Sequence, residues 1–79
     1  MPYIKPEARE RLDVANASKD AGELNYCLTK MCHDYWMRCG RNYQAFNDII
    51  GALEGCKLEL YRRKVAPYED VKIAENGDV

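Results

Sequence analysis

Two stretches with apolar residues at helical spacing constrain the fold of this 79-residue chain most strongly. In the first stretch, apolar residues recur every three or four positions, the spacing of one face of an α-helix. The members of this stripe are Leu24, Cys27, Leu28, Met31, Cys32 and Tyr35. Asp20 is a good N-cap, Glu23 can complete a capping box, and Gly40 suits the left-handed residue after a helix. The pattern predicts a helix over about 21–39.

The second stretch predicts a longer helix over about 43–65, with Asn42 as its N-cap. Its apolar stripe comprises Phe46, Ile49, Ile50, Leu53, Cys56 and Leu60. We expect Pro67 to end this helix, because proline removes a hydrogen bond and clashes with the preceding turn. At ~1.5 Å per residue the helix is longer than about 30 Å, so part of its apolar face projects beyond the shorter helix. We therefore expect a helical hairpin that self-associates, with a dimer as the expected form.

The remaining segments are expected to flank this hairpin. Pro6 suits the first turn of a short helix over about 6–15, where its missing N–H is harmless. Residues 66–79 are expected to form an ordered extended tail, with a turn at Asn76-Gly77. The sequence thus predicts a single all-α domain over 1–79: three helices with a hairpin core, the last helix being the longest.

Charge and composition argue against several classes of function. The chain has 12 Lys and Arg against 13 Asp and Glu, a formal net charge of −1, whereas general nucleic-acid binding usually shows a strongly basic balance. No apolar run approaches the ~18 residues of a membrane helix, and no signal peptide opens the sequence. We therefore expect a cytoplasmic protein that neither enters a membrane nor binds nucleic acid generally.

The four cysteines, Cys27, Cys32, Cys39 and Cys56, predict neither disulfides nor a metal site. Without a secretory signal we expect reduced thiols, and the sequence has no CxxC pair of the kind that binds zinc. His33 and Cys32 are adjacent and point about 100° apart on a helix, which argues against a catalytic Cys–His pair. We interpret Cys27, Cys32 and Cys56 as small core residues, expect Cys39 to be partly exposed, and expect no cofactor.

Three residues are candidates for an interface. Gly51 and Gly55 lie four apart on one helical face, and each costs roughly 1 kcal/mol relative to alanine. Close approach of another backbone explains them, with mere tolerance as the alternative. Trp36 lies off the apolar stripe of its helix, as an interface anchor would, although packing against the first helix explains it equally well.

The densest basic run, from Tyr61 to Lys64, is the candidate ligand-binding site. Arginine forks bind phosphate or carboxylate with two parallel hydrogen bonds, and tyrosine offers a ring for stacking and a hydroxyl. The candidate ligand-binding residues are Lys57, Tyr61, Arg62, Arg63, Lys64 and Tyr68. The alternative is that these cations offset the dipole at a helix C-terminus and pair with Glu59, Glu69 or Asp70.

Segments along the whole chain resemble an uncharacterised family. They are MPYIKPE at 1–7, LNY at 24–26, IIG at 49–51, LELYRR at 58–63, APYED at 66–70 and ENGDV at 75–79. Together they resemble a family of small phage and bacterial proteins that is catalogued as a domain of unknown function. The resemblance implies a compact, mostly helical protein encoded by phages or mobile elements, without an established enzymatic role. The mid-chain cysteines depart from the family pattern.

We expect a protein that is not an enzyme, because the chain has no glycine-rich phosphate loop, no GxSxG and no HExxH. The first hypothesis is a homo-oligomer that sequesters an anionic small molecule, specifically a nucleotide immune signal, as an anti-defence sponge in the host cytoplasm. The alternative is a protein–protein inhibitor or adaptor that contacts a host protein through Trp36 and the acidic tail. The sequence leaves open the ligand or target, the number of subunits, and whether the tail crosses to a neighbouring chain.

Overall fold

The computed structural model of the chain describes residues 5–7 and 18–79, and the elements they form are all helical. Helix α1 spans Ala21–Arg38 and helix α2 spans Tyr43–Leu60. A five-residue π-helical segment, Tyr61–Val65, joins α2 directly to helix α3, Ala66–Asn76. Helices α1 and α2 form a hairpin whose second arm continues without a break in helical structure through the π segment and α3.

The sequence determines where both hairpin helices begin. The side chain of Asp20 accepts a hydrogen bond of 2.8 Å from the N–H of Glu23, and that of Asn42 accepts one of 2.9 Å from the third residue after it. Glu23 reaches back as a capping box requires, but it accepts from the N–H of Lys19, at 3.1 Å, and not from Asp20. Gly40 has φ 100° in the turn, a left-handed conformation that glycine adopts at little cost.

The second arm does not end before Pro67, contrary to expectation. Proline crowds the carbonyl four residues earlier and removes the N–H that would bond to it, and here that carbonyl belongs to Arg63. Arg63 lies in the π segment, where hydrogen bonds run from i to i+5, as in the bond from the N–H of Ala66 to the carbonyl of Tyr61. The backbone thus accommodates proline by changing its hydrogen-bond pattern over one turn, and the helix continues.

Two further expectations change with this result. The tail that was expected to be extended over residues 66–79 is helical through Asn76, and only residues 77–79 are non-helical. The short helix expected over 6–15 lies mostly outside the described residues; its first two residues are described and are helical. The described fold therefore has two helical arms rather than a clear set of three helices followed by an extended tail.

The hairpin buries very little of its apolar surface within the chain. Of the described residues only Ala45 is fully buried. Near the turn, the ring of Trp36 stacks on Phe46, with centroids 5.4 Å apart and planes at 8°. Large apolar side chains are exposed along both arms, among them Leu24, Leu28, Met31, Phe46, Ile50 and Leu53. The two apolar stripes therefore meet only along a narrow line.

The second arm projects well past the first. Helix α1 packs against α2, whereas the π segment and α3 pack only against their neighbours along the same arm within the described part of the chain. The longest principal dimension of the molecule is 50 Å. None of the helices among the described residues is both long enough and apolar enough to span a membrane.

Candidate functional site

The basic run that the sequence singled out lies in the π segment. Residues Tyr61–Lys64 fill four of its five positions. Because each turn with i→i+5 hydrogen bonds contains about one residue more than an α-helical turn, side chains beyond the segment are rotated relative to an uninterrupted helix. The side chain of Tyr68, which follows the segment, is therefore rotated relative to that of Lys57 by an angle that differs from the one that regular helical spacing gives. Single turns of π-helix inside α-helices occur frequently at functional sites.

Arg62 and Arg63 share one carboxylate, that of Glu59. The distance from Arg62 Nη2 to Glu59 Oε1 is 2.8 Å, and that from Arg63 Nη1 to the same oxygen is 3.9 Å. The arginine side chains are 68% and 60% exposed, whereas the Glu59 side chain is only 19% exposed. With Lys64 beside them, this part of the helix surface carries excess positive charge. Arg62 and Arg63 thus pair with a carboxylate, as the alternative explanation of the basic run predicted. They do not offset the dipole at a helix C-terminus, because the helix continues beyond them.

Lys57 and Tyr68 lie at the two ends of the candidate site and interact within their own turns. Lys57 Nζ is 3.1 Å from Glu54 Oε1 in an exposed ion pair. The Nζ of Lys72 lies 5.5 Å from the centroid of the Tyr68 ring, a cation–π distance. Of the six candidate residues, the structure thus links the two arginines through a shared partner and places the other four at separate positions along the same arm.

Tyr61 makes a contact that the sequence did not predict. Its hydroxyl donates a hydrogen bond to the carboxylate of Glu69, across the π segment. This hydrogen bond, and secondly the negative charge of Glu69, raise the pKa of Tyr61 above its ordinary value. The hydroxyl is therefore engaged within the chain, and the half-exposed ring is what Tyr61 offers to a ligand. In the sequence, the only indication of this contact is Pro67, because proline accounts for the π segment that changes the helical spacing between the two residues.

A shallow depression of about 550 Å³ opens beside Tyr61. Its lining includes Tyr61, Ala66, Glu69, Asp70, Lys72, Ile73 and Asp78. Three carboxylates and one lysine make this depression acidic, and neither arginine belongs to it. An anion bound by the arginines therefore lies on an open helix surface, which the described residues do not enclose.

Trp36 lines an apolar cleft of about 330 Å³ on one side of the hairpin. We call it the tryptophan cleft; its lining residues are Thr29, Cys32, His33, Trp36, Phe46 and Ile49. The ring of His33 lies 6.1 Å from that of Trp36. The indole Nε1 of Trp36 is buried and has no hydrogen-bond partner among the described residues, a situation that costs about 1–3 kcal/mol.

A second apolar cleft, of about 340 Å³, lies on the other side of the hairpin. We call it the hairpin cleft; its lining residues are Leu28, Met31, Cys32, Tyr35, Asp48, Ile49, Ala52, Leu53 and Cys56. The sequence grouped most of them as core residues, but the structure leaves the cleft open. Asp48 accepts hydrogen bonds from the Tyr35 hydroxyl at 3.2 Å and from Gln44 Nε2 at 2.8 Å. The hydrogen bond to Asp48 is the main reason that the pKa of Tyr35 is raised.

The two interface glycines face open space. A Cβ atom added at Gly51 or Gly55 would meet nothing within 4 Å. Packing among the described residues therefore does not require glycine at either position, and contact with a second chain stays a prediction.

All four cysteines are free thiols. Cys27 and Cys32 are half-buried, Cys39 is exposed as expected, and Cys56, which the sequence placed in the core, is exposed because α1 does not cover it. The described residues contain no group of three side chains that could hold a metal ion.

Comparison with known proteins identifies a family. Neither the curated proteins nor the solved structures gave a match. A family model with the description "Domain of unknown function (DUF6899)" matches residues 1–79. The chain therefore belongs to the DUF6899 family over its full 79 residues.

Proposed function

We propose that this chain is a small non-enzymatic accessory protein of phage type that captures an anionic small molecule. The ligand class is a nucleotide, and the role is that of a sponge that removes a nucleotide immune signal in the host cytoplasm. The exposed arginine pair on the π segment, with excess positive charge around it, is the observation that carries this proposal.

The chemistry of the arginine pair suits a phosphate group. A guanidinium fork forms two parallel hydrogen bonds to phosphate oxygens and keeps its charge at every physiological pH. Arg63 is only loosely held by Glu59, at 3.9 Å, so that a phosphate can replace this contact at little cost. Lys64 adds a further positive charge, and Tyr61, which precedes Arg62 in the sequence, offers a half-exposed ring for stacking on a base.

Native mass spectrometry of freshly purified protein tests the proposal first, because it detects a retained ligand and the number of subunits together. Isothermal titration with cyclic dinucleotides, and with pyrophosphate as a generic polyanion, then measures affinity. Arg63→Ala is expected to weaken binding about tenfold or more, the loss of one charge-assisted hydrogen-bonded contact. Arg38→Ala, which removes the same charge at the end of α1, is the matched control. A protein with no retained ligand and no affinity for any of these probes contradicts the proposal.

A second candidate function is that of an inhibitor or adaptor that binds a host protein. The tryptophan cleft favours it, because its apolar lining and the stacked pair of Trp36 and Phe46 offer an anchor site to a partner. Affinity capture from host lysate should then return a stoichiometric partner that is lost with Trp36→Ala. Tyr26→Ala, which truncates an exposed aromatic residue on the same helix, should retain it.

A further inference from the structure

We propose that a second copy of this chain packs on the hairpin cleft, so that two hairpins form an antiparallel four-helix dimer. The same face then serves on both subunits, as it does in any interface with twofold symmetry. The sequence predicted self-association and gave Gly51 and Gly55 as interface residues; the proposal adds the hairpin cleft as the surface that is covered, and it stands independently of the ligand-binding function.

Much of the apolar surface of the described residues is exposed. Only Ala45 among them is fully buried, and Leu28, Met31 and Leu53, which line the hairpin cleft, are 39%, 64% and 39% exposed. Each partner in a stable complex buries roughly 800 Å² of its surface. A second copy of the chain offers the same apolar face to cover these side chains.

The other means by which small chains gain stability do not operate among the described residues. Short domains commonly rely on disulfides, a metal or oligomerisation. Here all four cysteines are free, and no described group of side chains could hold a metal ion. Of these three means, self-association is the one that the described residues can supply, because their apolar side chains are exposed on the hairpin.

The chemistry of the hairpin cleft suits burial in an interface. Asp48 is the one charged residue of its lining, and Tyr35 and Gln44 already donate hydrogen bonds to it. These two hydrogen bonds lower the cost of burying the carboxylate, which is largest for a charge that has no hydrogen-bond donors. The rest of the lining is apolar or weakly polar, like the central part of a homodimer interface.

The flank of the hairpin cleft allows another helix to approach closely. Gly51 and Gly55 follow Asp48 by three and seven residues, so they lie on the same face of α2. Open space adjoins both of them. The tryptophan cleft has no such flank, and the stack of Trp36 on Phe46 already fills part of it. These features favour the hairpin cleft as the surface that the second copy covers.

Two variants of equal exposure test the surface. Met31 lines the hairpin cleft and is 64% exposed, whereas Ile50 lies outside both clefts and is 66% exposed. Sedimentation equilibrium of the wild-type protein over a range of concentrations should show a monomer–dimer equilibrium. Met31→Glu should raise the dissociation constant about 100-fold or more, because each subunit would bury an unpaired charge. Ile50→Glu should leave it within about threefold of the wild-type value.

Thiol alkylation of the wild-type protein gives a second readout that needs no variant. Cys56 lines the hairpin cleft and Cys39 lies at the turn, and both are exposed in the single chain. On raising the concentration through the dissociation constant, iodoacetamide should react with Cys56 about tenfold more slowly, and with Cys39 at an unchanged rate. This readout decides the question if Met31→Glu fails to fold.

Three results would overturn the proposal. The first is a monomer at every concentration, which would mean that the cleft stays open or that another part of the same chain covers it. The second is a dimer that persists in Met31→Glu. The third is a dimer in which Cys56 reacts as fast as it does in the monomer, which would place the interface elsewhere.

Discussion

The hydroxyl of Tyr61 donates a hydrogen bond to the carboxylate of Glu69, eight residues further along the same helical arm. In an uninterrupted α-helix, residues eight apart are two turns and almost a quarter of a turn apart, so they do not lie directly above one another. The π segment between them adds about one residue to a turn and brings the two side chains into line. This contact therefore depends on the local change of helix geometry that accompanies Pro67.

Replacing Glu69 is expected to lower the pKa of Tyr61. The Glu69→Gln variant removes the charge and weakens the acceptor, the two principal causes of the raised pKa. Because the folded-state pKa lies above the ordinary value of about 10, the contact stabilises the fold fully below about pH 10 and is lost as the pH rises through the folded-state pKa. A pH titration of the tyrosine Cζ resonances measures the shift.

The matched control for this experiment is Asp70→Asn, which removes the same charge one residue later. It should leave the titration of Tyr61 nearly unchanged. If Tyr61 titrates identically in the wild-type protein and in Glu69→Gln, the hydrogen bond does not form in solution.

Replacing Pro67 by alanine is expected to stabilise the second arm. The substitution restores a backbone donor for the carbonyl of Arg63 and removes the steric reason for the π segment. Proline in a helix interior is less favourable than alanine by up to about 3 kcal/mol, and part of this amount should be regained. Urea unfolding followed by far-UV circular dichroism should show a higher midpoint for Pro67→Ala.

Ala74→Gly calibrates that measurement, since a glycine in the same helix should cost about 1 kcal/mol. A lower midpoint for Pro67→Ala would mean that the π geometry itself, including the contact between Tyr61 and Glu69, stabilises the fold more than regular α-helix does.

Two glycine substitutions are expected to act in opposite directions. Gly51→Ala should raise the free energy of unfolding of the monomer by about 0.5–1 kcal/mol, because the added Cβ meets no atom within 4 Å. Gly40→Ala should lower it, because Gly40 has φ 100° and the added Cβ would lie 3.0 Å from Asn42 Nδ2. Urea unfolding of both variants, at a protein concentration where the chain is monomeric, provides the comparison. A destabilised Gly51→Ala monomer would reveal a neighbouring group at that position.

The hairpin was predictable from the sequence because its determinants are local. Asp20 and Asn42 bond the N–H groups of the turns that follow them, and Gly40 supplies the left-handed residue, so each boundary depends on only a few adjacent residues. The extent to which each apolar stripe is buried was not predictable in the same way. An apolar stripe indicates which face is covered, but not whether the same chain covers it, and Cys56 and Met31 lie on such a stripe and are exposed.

The sequence did not predict where the second arm ends or how the candidate site is arranged. The rule that proline ends a helix does not hold for Pro67. Proline either ends a helix or is absorbed by a change of hydrogen-bond pattern, and the outcome depends on the energy of the whole arm. The composition of the basic run was evident from the sequence. Its partners were only partly so, because Glu59 precedes the π segment at ordinary helical spacing, whereas Glu69 follows it at a shifted one.

The position of Trp36 gives the molecule a built-in optical reporter. It is the single tryptophan of the chain, and its stack on Phe46 joins the two arms near the turn. Its fluorescence therefore follows the hairpin, whereas far-UV ellipticity follows mainly the long second arm. Because the last third of that arm has no neighbour across the hairpin within the described structure, the ellipticity should begin to fall at a lower temperature than the one at which the tryptophan emission changes.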